Sequence, residues 1–188
     1  MSLDLERLKK VYDIFKICLA GDGAVGKTSF LNYLRTGKFI PNQGNIKRTP
    51  FINIDGCALG GHKIQLYDLA GQRRKDAHPL DFLQIQVFKE LDSLILFFSL
   101  NNLQSFINIK TWYEEVRRIY ETWNESLPPM FLVGNKLDMP RKVESINGEA
   151  LVNNVKEFNG YYEISLVSGE NVLDLLNGIC EMLDSRAG

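Results

Sequence analysis

Apolar positions along the chain alternate between two rhythms. Ile14 to Ala20, Leu94 to Leu100 and Met130 to Val133 are short, nearly unbroken apolar runs. Runs of that length, rich in β-branched and aromatic residues and apolar on both faces, predict buried strands of a parallel sheet. Between them the spacing changes to three and four. Phe30, Leu31 and Leu34 share one helical face that Thr36-Gly37 stops. From Ser105 to Trp123 the residues Phe106, Ile109, Trp112, Tyr113, Val116, Ile119 and Tyr120 recur with charges between them, which predicts an amphipathic helix. Its aromatic stripe reads as core packing rather than a ligand platform. Ala150, Leu151, Val155 and Phe158 mark another helix, and Tyr161 to Ile164 another strand. Val172, Leu175, Leu176, Ile179 and Leu183 mark a last helix with Asn171 as its N-cap.

A third pattern is a hairpin. Phe51, Ile52 and Ile54 followed by Asp55-Gly56 predict a strand and turn, with Ile64, Leu66 and Tyr67 on the return strand. Phe39 to Thr49 is polar and contains proline, a loop long enough to be functional. Ala70 to Pro79 is a second such loop, after which Phe82, Leu83, Ile85, Gln86 and Phe88 show mixed helical spacing up to Leu91. Strand and helix therefore alternate, which predicts an α/β domain whose mostly parallel sheet is covered on both faces. Ligands of such sheets bind beyond the carboxyl ends of the strands, so the loops after the strands carry the chemistry.

Composition changes this picture little. The chain has 188 residues and is 45% hydrophobic, enough for one domain with a real core. Lys and Arg total 22 against 23 Asp and Glu, a formal charge of −1, so no broad basic field argues for nucleic acid or an anionic membrane. Cys18 lies in a strand, Cys57 in a turn-like stretch and Cys180 on the last helix. None has metal or disulfide spacing, and three scattered thiols suit a reducing cytosol. No apolar run reaches the roughly 18 residues of a membrane span, and Met1 to Lys10 lacks a signal-peptide core. A cytoplasmic location follows as an expectation. Leu3, Leu5, Leu8 and Val11 allow either an amphipathic turn or a solvated tail over residues 1–13, an N-terminal extension to a domain of 14–185 with a tail of 186–188.

Three loops stand out. Gly21-Asp22-Gly23-Ala24-Val25-Gly26-Lys27-Thr28, followed by Ser29, has the spacing GxxxxGK[ST] between a predicted strand and helix. Its glycines let successive N–H groups point at phosphate oxygens, Lys27 adds a point charge, Thr28 offers a hydroxyl to Mg²⁺, and the helix start favours an anion. Asp68-Leu69-Ala70-Gly71-Gln72 follows the second hairpin strand. There Asp68 can hold Mg²⁺ through a water, Gly71 can meet a γ-phosphate and Gln72 can orient an attacking water. Asn135-Lys136-Leu137-Asp138 follows Met130 to Val133. Asp138 can accept from the N1–H and amine of guanine, and a site built on that buried carboxylate rejects adenine, which would leave it unpaired.

With GDGAVGKT, DLAGQ and NKLD in that order, and NNLQSF and PPMFLVGNKLD between and around them, the chain resembles the Ras superfamily of small GTPases from about Phe15 to Leu183. The resemblance implies a three-layer P-loop G domain with a six-stranded sheet and one antiparallel edge strand, binding GTP or GDP with Mg²⁺. It implies that Lys27 meets the β- and γ-phosphates, Thr28 the metal, Asp68 the metal through water and Gly71 the γ-phosphate. Phe39 stands where the family stacks an aromatic on guanine. Thr49 matches the switch threonine better than Thr36, although it lies 21 residues after Thr28, more than is usual. Ser165-Leu166-Val167 replaces the family's SAK triplet: the Leu166 N–H can still meet the guanine oxygen, but Val167 supplies no lysine.

The same resemblance implies a monomeric switch that hydrolyses GTP slowly, with Gln72, Lys27 and Thr49 in the catalytic set and no arginine assignable in cis. Effectors, an exchange factor and a GTPase-activating protein would bind at the two switch loops. Arg73-Arg74-Lys75 makes the second loop basic, either a solvated stretch or a selector of an acidic partner. No CaaX box, terminal cysteine pair or N-myristoylation glycine is present, so the sequence offers no evident lipid anchor; it is unlipidated or truncated. A nucleotide-bound interaction module without hydrolysis is the alternative reading, and NKLD disfavours an ATPase or kinase.

Overall fold

The computed structural model describes residues 14–41, 49, 51–71 and 87–187, the last without its side chain. Six strands, β1 Ile14–Gly21, β2 Ile52–Leu59, β3 His62–Leu69, β4 Ser93–Ser99, β5 Met130–Asn135 and β6 Phe158–Ile164, form one sheet in the order β2-β3-β1-β4-β5-β6. All neighbours are parallel except β2 and β3, so β2 is the antiparallel edge. Among the described residues the helices are α1 Lys27–Thr36, α2 Leu103–Trp123, α3 Ser145–Asn154 and α4 Val172–Ala187. No described helix is long and apolar enough to cross a membrane.

The continuous apolar runs are explained by burial on two sides. Along β4, Leu94, Leu96 and Phe98 enter one core with α2, while Ile95 and Phe97 enter a second with α1 and α4. Cys18 and Ala20 of β1 likewise face the first core, and Phe15, Ile17 and Leu19 the second. Alternating side chains point to opposite faces of a strand, so every position must be apolar where both faces are covered. The predicted aromatic stripe of α2 lands in the first core, with Trp112 1% exposed. This helix starts two residues earlier than the apolar rhythm suggests, because Asn102 accepts from the N–H groups of Gln104 and Ser105 and caps it.

Three sequence expectations are corrected. Asp55-Gly56 is not a turn: β2 runs through both residues and Cys57 to Leu59, and the reversal falls at Gly60-Gly61. Those two glycines have φ of 57° and 86°, the two successive positive values of a type I′ hairpin, whereas Gly56 has an ordinary φ. Phe158 and Val155 do not belong to a helix, since α3 ends at Asn154 and Phe158 opens β6. Asn171 is not an ordinary N-cap either. Its φ is 56° and its side-chain amide donates 2.9 Å to the Glu163 carbonyl instead of accepting from the helix.

The register brings the loops together. Leu19 pairs with Asp68, Gly21 with Phe97, Ser99 with Asn135 and Asn135 with Ile164. The ends of β1, β3, β5 and β6 therefore open on one edge of the sheet, where the chain turns from one side of β1 to the other, the usual place for a ligand.

Candidate functional site

At the end of β1 the backbone leaves the sheet through Gly21 (φ 132°), where a Cβ would lie 2.1 Å from the Phe97 carbonyl oxygen. Ala24 (φ 61°) and Gly26 (φ 112°) continue the curl; for alanine this left-handed conformation is strained. Gly26 then caps α1 without any side-chain acceptor for the first N–H groups, which leaves them oriented for an anion. Lys27 is 5% exposed, and its Nζ donates to the carbonyls of Gly21 and Asp22, both at 2.7 Å. Burial lowers its ammonium pKa to about 8, against the opposing charges of Asp68 and Asp22.

Three oxygen-bearing side chains from separate segments meet beside it. Thr28 Oγ1 donates to Asp68 Oδ2 at 2.6 Å, and Thr49 Oγ1 lies 3.3 Å from the same oxygen and 3.2 Å from Thr28 Oγ1. Asp68 is fully buried. Burial raises its pKa, and the Thr28 hydrogen bond, the Lys27 charge and Thr49 pull the other way. Among the described residues its second oxygen, Oδ1, has no hydrogen-bond partner. Two hydroxyls and a carboxylate with an orphaned oxygen fit a hard divalent cation such as Mg²⁺. Gly71 abuts the first loop so closely that a Cβ would lie 2.2 Å from the carbonyl carbon of Asp22.

On the other side, Asn135 straps the loops together: its Nδ2 donates 2.9 Å to the Val25 carbonyl, and a Cβ on Gly26 would lie 2.1 Å from that nitrogen. Asp138 Oδ1 accepts from Ser165 Oγ at 2.6 Å. The carboxylate is expected to be buried, but Asp138 is exposed, three residues past the end of β5 at Asn135. Lys136 is half-buried in a left-handed conformation (φ 68°), and burial lowers its pKa against the pull of Asp138. Leu166 is buried, whereas Val167 is 59% exposed. Phe39 is half-buried and packs against the core shared by α1 and α4.

A sequence model of the Ras family matches residues 16–184. The chain belongs to the Ras family. Ras-related protein Rab-37 of Mus musculus is 30% identical over 186 residues, 94% of this chain and 77% of that protein. The EF-hand calcium-binding domain-containing protein 4B of Homo sapiens is 33% identical over 181 residues, 92% of this chain and 23% of that protein. The Ras and EF-hand domain-containing protein of Danio rerio is 31% identical over 182 residues, 92% of this chain and 25% of that protein. The chain thus spans about a quarter of the length of these two EF-hand relatives. Ras-family proteins in general bind guanine nucleotides, regulators and effectors.

For this Ras-family chain, Gly21, Gly23, Ala24, Val25, Gly26, Lys27, Thr28, Ser29, Thr49, Asp68, Gly71 and Asn135 surround one edge of the sheet, and Lys136, Asp138 and Ser165 to Val167 flank it. Gln72, Arg73, Arg74 and Lys75 lie outside the described residues, as do residues 1–13. Three contacts had no sequence expectation. Asp22 accepts from Asn108 Nδ2 at 2.6 Å and from Trp112 Nε1 at 3.0 Å. Arg141 binds Glu163 through both nitrogens, at 2.7 and 2.5 Å. A buried indole N–H needs an acceptor, and that need is the one sequence signal, for the Asp22–Trp112 contact.

Proposed function

We propose that the chain is a guanine-nucleotide switch that binds GTP or GDP with Mg²⁺ and hydrolyses GTP to GDP and phosphate. The observation that carries this reading is the convergence of Thr28 and Thr49 on Asp68 Oδ2, with Asp68 Oδ1 left without a hydrogen-bond partner among the described residues, beside the buried Lys27. Thr28, Thr49 and Asp68 would hold the metal. Bound there, Mg²⁺ would neutralise charge on the β- and γ-phosphate oxygens. An ammonium has three donors; Lys27 directs two to the loop's own carbonyls and offers the third to a phosphate oxygen. The uncapped first turn of α1 supplies further N–H donors.

Hydrolysis is an attack of water on the γ-phosphorus with loss of the bond to the β–γ bridging oxygen, so that GDP leaves. Gln72 orients that water in this reading. Gly71, wedged against Asp22, reports whether the γ-phosphate is present, and Thr49 does so from the other loop. These two segments would then present or withdraw surfaces for an effector, an exchange factor and a GTPase-activating protein. Asp138 and the Leu166 N–H select guanine. With Val167 exposed and no lysine in the triplet, that edge of the base is open to solvent.

The test is single-turnover phosphate release from protein loaded with GTP, for the wild type and Gln72→Leu. Slow release in the wild type, with a depressed rate and retained GTP binding in the variant, supports the reading. Equal rates refute the role of Gln72. Bound GTP with no release over many hours refutes hydrolysis and favours an interaction module that binds nucleotide without turnover.

A further inference from the structure

We propose that Asn108 and Trp112 of α2 are positioning residues for the phosphate-facing loop, acting through the carboxylate of Asp22. The inference rests on the nucleotide reading above. Asp22 is a carboxylate inside a loop that must receive a polyanion, where a mobile negative side chain would oppose binding. Both its oxygens are instead held by α2: Oδ2 by Asn108 Nδ2 at 2.6 Å and Oδ1 by Trp112 Nε1 at 3.0 Å. The donors are themselves fixed. Gln104 Nε2 donates 2.9 Å to Asn108 Oδ1 and sets the direction of that amide. Trp112, 1% exposed in the core under α2, has no space in which to swing.

The main chain of Asp22 is where three parts of the site touch. Its carbonyl accepts from Lys27 Nζ at 2.7 Å, its carbonyl carbon lies 2.2 Å from where a Cβ on Gly71 would stand, and its side chain reaches α2. Displacing Asp22 would therefore move the lysine's anchor and the seat of Gly71 together. Hydrogen bonds to a charged acceptor are among the stronger ones, and two of them fix both the position and the rotation of the carboxylate. The long helix thus sets the geometry of a loop that lies 86 residues earlier in the chain.

The experiment measures the off-rate of fluorescent GDP from the full chain in Asp22→Ala, Asn108→Ala, the double variant and Asp22→Asn. Asn108 is half-exposed and alanine favours the helix, so Asn108→Ala folds even if changes in the loop do not. Each single alanine variant is expected to speed release about tenfold, equivalent to ~1.36 kcal/mol. The double variant should be no faster than either single one, because the residues act as one unit. Asp22→Asn has one acceptor oxygen where Asp22 has two, so it can accept from the indole or from the Asn108 amide but not from both, and its release rate should fall between those of wild type and Asp22→Ala. An unchanged rate in Asn108→Ala, additive effects in the double variant, or an Asp22→Asn rate as fast as that of Asp22→Ala overturns the proposal. A wild type that binds no guanine nucleotide overturns the nucleotide reading, and this inference falls with it.

Discussion

Replacing Lys27 with methionine should change how stability depends on pH more than it changes stability itself. Burial lowers the folded-state pKa of Lys27 from 10.5 to about 8, a shift worth about 3 kcal/mol. Between those two values the unfolded chain holds the proton and the folded chain does not, so stability rises with pH across that window. The penalty for burying the charge is complete below pH 8 and gone above 10.5. Lys27→Met removes this titration but leaves the Gly21 and Asp22 carbonyls without their donor, a loss of about 1–3 kcal/mol. At pH 7 the two effects oppose each other, and the net change should stay within about 2 kcal/mol. The assay is urea denaturation of nucleotide-stripped protein from pH 7 to 10.5, read as wild type minus variant so that tyrosines and other lysines cancel. Wild type should gain about 3 kcal/mol on the variant over that range. Bound GDP should abolish the gain, because phosphate keeps the ammonium charged. Parallel pH curves in stripped protein would refute the account of Lys27.

Other outcomes follow from the same contacts. Chelating Mg²⁺ should speed GDP release from wild type and leave Asp68→Ala unchanged, as fluorescent-nucleotide release would register. Arg141→Ala should cost about 1.5–3 kcal/mol in denaturation, the worth of hydrogen bonds to a charged group. Burial opposes the Glu163 carboxylate, but bonds from Arg141, Tyr161 and Ser145 outweigh it and lower its pKa below 4.5. That stabilisation is present above pH 4.5 and lost as pH falls through the lowered value, so the variant should show a flatter acid limb. Gly61→Ala should cost about 1–2 kcal/mol for forcing a Cβ into a left-handed conformation. Gly56→Ala, with its nearest neighbour 3.9 Å away, should lose nothing measurable in thermal unfolding.

What could be read in advance followed from local physics. The strand β4 was legible because an unbroken apolar run has no solvent-facing side to reconcile, and the loop before Lys27 because its glycines and lysine fall at fixed spacing. The hairpin reversal was misplaced because Asp55-Gly56 and Gly60-Gly61 both carry turn chemistry; only the eight-pair register from Ile52 to Leu59 decides between them. Phe158 fits either apolar rhythm, and its neighbour across β5 settles it as strand. The Asp22 contacts with α2 span 86 and 90 residues, and the Arg141–Glu163 pair spans 22. No periodicity carries such information, because these partners are chosen by the packing of α2 and of the β5 and β6 ends. The exposure of Asp138 was hidden for a similar reason: a motif names the residue but not what covers it.

The hairpin of β2 and β3 has a mechanical consequence. Asn53 pairs with Asp68 and Ile52 with Leu69, so the strand that follows Thr49 is bolted to the strand that bears the Asp68 carboxylate. At the far end a Cβ on Gly60 would lie 2.5 Å from Cys180 Sγ of α4, and His62 meets Asp184 at 2.8 Å. The hairpin therefore behaves as a stiff bracket clamped at both ends. Sliding it would break contacts with the last helix and would carry Thr49 and Asp68 in the same direction. Phe51 is tied in as well, its carbonyl accepting from the Ala70 N–H at 2.9 Å, so separating these two oxygens requires Thr49 to move without the paired strand that follows it.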